Sequence, residues 1–134
     1  MSNRVYHIVN LSFIAVILGV IFYSLIFRSD HPIPALLTKI TGLIPPSKGL
    51  STSFSELVRG NFETAAIYNP HGLRVFSFFI LQLFTRILIS ISLESEWIKS
   101  SRVVIIDSFY SITLFGICFA PLIEYTIQLF IKFF

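Results

Sequence analysis

The sequence predicts an all-α, polytopic integral membrane protein with three transmembrane helices and a membrane-surface amphipathic helix between the first and second. Three observations carry that prediction. The 134 residues are 54% hydrophobic and 13% charged, with a mean hydropathy of +0.82, whereas soluble domains carry about a quarter charged residues. Three apolar runs reach about twenty residues or more, the length a helix needs to cross a hydrocarbon core of about 30 Å. Between the first two runs, proline, glycine and charge break the chain into pieces too short to span. Residues 1–134 read as a single membrane domain.

The first run, about residues 7–28, follows Arg4 and so resembles a signal peptide. It is longer than a typical h-region, however, and no Ala-x-Ala-like cleavage site follows, so a retained helix is expected. It is apolar all round, as a lipid-immersed helix should be. Ser12, Ala15 and Gly19 lie on much the same side and form a small-residue face suited to close helix approach. Asn10-Leu11-Ser12 fits the glycosylation pattern but lies where the helix enters the membrane.

Residues 32–70 are expected to lie at the membrane surface. The apolar stretch 33–44 is only about twelve residues long and is interrupted by Pro34, Lys39 and Gly42. Pro45-Pro46-Ser47-Lys48-Gly49 reads as a turn. Ser53-Phe54-Ser55-Glu56 then has the spacing of a capping box opening a helix over about 54–67. One face of that helix carries Phe54, Leu57, Val58, Phe62 and Ala65, and the other Glu56, Arg59 and Glu63 at pairing distances. Asn69-Pro70-His71-Gly72 stops it.

The second span, about 73–93, carries a polar stripe of Gln82, Arg86 and Ser90 at i,i+4 steps. Such a stripe should face protein rather than lipid. The third, about 103–123, carries Asp107 and Ser111 one turn apart. Folding the two about Trp97 puts Arg86 about eleven residues before the turn and Asp107 about ten after, at nearly one depth. An ion pair lowers the cost of each charge in hydrocarbon. Glu124, Gln128 and Lys132 form a further i,i+4 stripe beyond Pro121, so 124–134 is either an extension of the helix or an amphipathic tail. Lys and Arg are most numerous in the long segment 28–74, which the positive-inside rule places in the cytoplasm.

His31-Pro32, Thr41-Gly42, Pro45-Pro46-Ser47-Lys48-Gly49, Ser51-Thr52-Ser53, Arg59-Gly60, Ala65 and Asn69-Pro70 keep a distinctive order and spacing. This third of the chain resembles the small bacterial membrane proteins of the domain of unknown function 2752 family. That family's pattern is Cys-Pro, Thr-Gly, Cys-Pro-x-Cys-Gly with Thr-Arg-Ala, a glycine within an amphipathic helix, and Asn-Pro before a membrane helix. The resemblance implies the same helix order and a bacterial inner-membrane location. The three family cysteines are replaced here by His31, Pro45 and Lys48, and the arginine by Thr52. Any thiolate chemistry of the family would therefore be lost in this chain.

Little else in the sequence points to catalysis. The lone Cys118 sits in an apolar stretch, and there is no phosphate-cradling glycine loop and no HExxH. His31 and His71 bracket the surface segment without specific acidic partners. The charge of +3 has no basic cluster suited to nucleic acid. The expected role is non-catalytic, without metal or cofactor: an accessory or structural subunit of a larger membrane complex, contributing helix packing and lipid contacts. The alternative is a small homo-oligomeric channel or transporter component using Arg86, Asp107 and Glu124.

Overall fold

A computed structural model of the chain describes residues 3–28, 44–94 and 100–133. Among these residues there are five helices and no strand. His31, Pro32, Thr41, Gly42 and the expected turn at Trp97 lie outside the described residues.

α1 (Asn3–Ile26), α4 (Gly72–Glu94) and α5 (Ser100–Phe133) are each long and apolar enough to cross a membrane. Most of their large apolar side chains are exposed, as lipid-facing helices require. α1 and α4 run antiparallel, as do α4 and α5, the arrangement of three successive spans. Together these features make the protein an all-α polytopic membrane protein.

α5 runs through Pro121 without a break. Proline lacks the N–H that would bond to the carbonyl four residues back, so Ile117 loses its usual helical partner. At 34 residues α5 is about 51 Å long. It is therefore longer than the hydrocarbon core is thick, and Glu124 and Gln128 lie in its last third.

The expected single surface helix is two. α2 (Leu50–Val58) and α3 (Phe62–Tyr68) are separated at Gly60, whose φ of 82° is left-handed. Gly60 N–H bonds to Leu57 O and Asn61 N–H to Glu56 O, the two bonds of a Schellman cap. α2 begins one turn before the expected capping box, behind Gly49 at φ 76°. Ser53 is therefore mid-helix and buried, and its hydroxyl caps nothing. Phe62 is exposed rather than on the buried face.

Phe54, Leu57, Ala65 and Val75 form the buried core of this end, with Val20, Phe76, Phe79, Phe119 and Leu122 packed around them. The Phe54 ring meets Phe76 and Phe79 edge-on at 5.2 and 5.7 Å. α2 and α3 thus close the end of the bundle where α1 finishes and α4 begins.

Candidate functional site

Polar residues from all three spans meet in one intramembrane network. Arg86 Nη1 lies 2.6 Å from Asp107 Oδ2, joining α4 to α5. Both side chains are only 7% exposed. The pair is neutral overall, and each partner removes most of the other's cost in a low-dielectric setting. Ser111, one turn beyond Asp107, accepts from Arg86 Nη2 at 3.2 Å and donates to Asp107 Oδ1 at 3.3 Å. Gln82 Oε1 lies 3.5 Å from the same hydroxyl.

α1 supplies the third side, which sequence reasoning missed. Tyr6 donates its phenolic proton to Asp107 Oδ2 at 2.7 Å. The Asn10 amide donates to Arg86 O at 2.9 Å and to Ser90 Oγ at 2.8 Å, tying α1 to α4 at two heights. Phe13 places its ring 4.8 Å from the Arg86 guanidinium carbon, a cation–π contact. Asn10 is fully buried, which sets aside the glycosylation pattern.

A spacing signal for this face was present. Tyr6, Asn10, Phe13, Ile17, Val20 and Ser24 recur every three or four residues, the period of one helix side. Ser12, Ala15 and Gly19 lie on the opposite side of α1 and, among the described residues, do not meet another helix. All three are exposed, Gly19 has open space around it, and Ser12 Oγ bonds back to Ile8 O. Lipid cannot satisfy the amide and phenol of Asn10 and Tyr6, so their side turns inward.

Glu124 and Gln128 bond to each other at 3.3 Å on the exposed side of α5. The Lys132 side chain lies outside the described residues. Glu124 is 17 residues from Asp107, about 25 Å along the helix, and does not join the network. Two donors inside the network, Gln82 Nε2 and Arg86 Nε, are buried without a partner. A narrow cleft of about 180 Å³ between α4 and α5 reaches Asp107 past Ile89, Val103, Ile106 and Tyr110.

A second polar cluster binds the surface helices to the spans. Arg59 donates from Nη2 to Leu25 O at 2.6 Å and from Nη1 to Ser24 O at 3.2 Å, while Ser55 Oγ donates to Phe27 O. These are carbonyls at the end of α1, which have no partner within the helix and carry its partial negative charge. Glu56 pairs with Arg28 at 2.9 Å and accepts from Asn61 at 2.7 Å, and it makes no pair with Arg59. The Arg28 hydrogen bond, followed by that of Asn61, holds the Glu56 carboxyl below its usual range.

The family-pattern residues within the described segments are structural joints. Asn69 donates to Pro46 O and Lys48 O at 2.7 and 2.9 Å and accepts from His71 N–H at 2.8 Å. Asn69 itself is extended (φ −152°), the conformation favoured before a proline such as Pro70. A Cβ on Gly49 would lie 2.4 Å from Tyr68 O, so only glycine fits there. Among the described residues no three of His, Cys, Asp and Glu gather where a metal could bind. Cys118 is buried and free. Comparison with protein-family models, with curated proteins and with solved structures finds no match to this chain.

Proposed function

We propose that the chain is a non-catalytic accessory or structural subunit of a larger membrane complex, in which it contributes helix packing and lipid contacts. The observation that supports this most is how the intramembrane charges are used. Arg86 and Asp107 bond to each other and to Tyr6, Asn10 and Ser111, and so fasten the three spans of one chain together. On this reading the pair is a lock. Among the described residues the small-residue side of α1 and the end of α5 are exposed, and on this reading they face neighbouring subunits.

We further propose that the chain is a divergent member of the domain of unknown function 2752 family in a bacterial inner membrane. Arg28, Lys48, Arg59 and Arg74 lie where α1 ends, α4 begins and α2 and α3 sit, and the positive-inside rule assigns that end to the cytoplasm. Gentle solubilisation of native membranes followed by native-mass analysis tests the subunit reading. Recovery in fixed ratio within a heteromeric complex is the expected result. Recovery as a lone chain or a symmetric homo-oligomer would overturn it and favour the channel.

A further inference from the structure

At the mouth of α4 lies a pocket of about 430 Å³, formed by Ile44, Pro45, Pro46, Lys48, Gly49, Tyr68, Asn69, Pro70 and His71. Its size falls within the range of about 300–1,000 Å³ usual for small-molecule sites. Among the described residues the lining is distinctive in charge, with one lysine, one histidine and no carboxylate. Arg74 stands exposed one turn into α4, next to this opening.

The pocket walls are rigid for reasons that do not involve a ligand. Asn69 pins the Pro46 and Lys48 carbonyls, and Gly49 allows the Tyr68 backbone to pass against it. The side chains of Lys48 and His71 contribute nothing to those bonds, which use the Lys48 carbonyl and the His71 backbone N–H. Lys48 and His71 therefore line the cavity while their side chains stay out of the bonds that hold it together.

Depth identifies what meets this opening. The midpoint of α4 falls at Leu83, and Gly72 is eleven residues, about 16 Å of helix, from it. Half of the hydrocarbon core is about 15 Å, so the pocket opens at the headgroup layer. Around it Ile44, Ile67, Tyr68 and Leu73 are exposed. These residues give acyl chains an apolar surface beside a polar, positively charged hollow.

We propose that this pocket binds the phosphate-bearing headgroup of an anionic phospholipid. Lys48 supplies the charge, His71 a further polar contact, and Ile67 and Leu73 the surface against which the chains lie. The proposal goes beyond the subunit reading and holds whether or not the chain has protein partners.

The test uses the full chain in neutral detergent and native mass spectrometry. Phosphatidylglycerol and phosphatidylcholine with the same acyl chains are offered at equal concentration, and inorganic phosphate is added as a separate competitor. Phosphatidylglycerol is expected to be retained in preference. Lys48→Gln should reduce that preference about fivefold, the effect of one basic residue near a lipid surface, and Lys48→Gln with His71→Gln should abolish it. Arg102→Gln, an exposed charge at the far end of α5, should leave it unchanged. Equal retention of the two lipids, an unchanged preference in both Lys48 variants, or an equal loss in Arg102→Gln would overturn the proposal. Complete displacement of the lipid by inorganic phosphate would also overturn it, by marking a free-anion site.

Discussion

Two polar clusters hold this small protein together, by opposite means. In mid-membrane, Tyr6, Asn10, Arg86, Asp107 and Ser111 bond mainly side chain to side chain. At the membrane surface, Arg59, Ser55 and Asn69 reach backbone carbonyls instead. The difference follows from what each region lacks. Hydrocarbon offers no water, so a charge there needs a counter-charge, and each helix already satisfies its own backbone. At the surface the spans end, and the last carbonyls of α1 need donors. The inner cluster fixes which helices meet, and the outer one fixes where they stop.

The sharpest way to break the comparison is at the inner pair. Arg86→Ala or Asp107→Ala leaves an unpaired charge inside the bundle and should cost about 3–5 kcal/mol, measured by thermal unfolding in detergent. Replacing both residues by apolar ones of similar volume should recover most of that loss. The exchange of Arg86→Asp with Asp107→Arg should recover part of it. If the exchange restores assembly while an associated transport activity stays lost, the lock reading fails and the pair is a coupling element.

At the outer cluster the expected effects are smaller. Gly49→Ala places a side chain at φ 76° against Tyr68 O and should cost about 1–2 kcal/mol from backbone conformation alone, with the close approach adding to it. Arg59→Ala strips the end of α1 of two hydrogen bonds to a charged donor. About 1–2 kcal/mol is expected, since the guanidinium is only partly buried. Limited proteolysis near residue 28 would report the loosened end.

The gentlest probe is pH. Glu56 has a folded-state pKa below its ordinary value, so its pairing stabilises the protein above the ordinary carboxylate range and is lost as pH falls through the lowered value. Protease access to α2 should rise on acidification, and Glu56→Gln should remove that dependence. A wild-type response that persists in Glu56→Gln would assign it to another group.

The sequence made the spans legible because twenty apolar residues in a row have few other uses. The shared depth of Arg86 and Asp107 was legible too, from simple counting about the hairpin. The contribution of α1 was not. Tyr6 and Asn10 look like ordinary residues near the start of an apolar run, and only their three- and four-residue spacing hinted at a shared side. The small-residue side of α1 gave the stronger pattern, yet among the described residues it meets no helix. The capping box failed for a local reason. Gly49 offers a left-handed start one turn earlier, and Glu56 is drawn away by Arg28 and Asn61. Gly60 signalled a break inside the surface helix that periodicity alone bridged over.

The inner network also sets a clock on synthesis. Asn10 is made 76 residues before its partner Arg86, and Tyr6 is made 101 residues before Asp107. At about 5–20 residues per second the gap is roughly 4–20 seconds. During that interval α1 stands in or beside the membrane with an amide and a phenol unmet, and Arg86 arrives before its carboxylate. A chain arrested before Asp107 would therefore display a lone guanidinium in hydrocarbon. The charge of Arg86 can meet its carboxylate only once synthesis has passed Asp107, about two turns into α5.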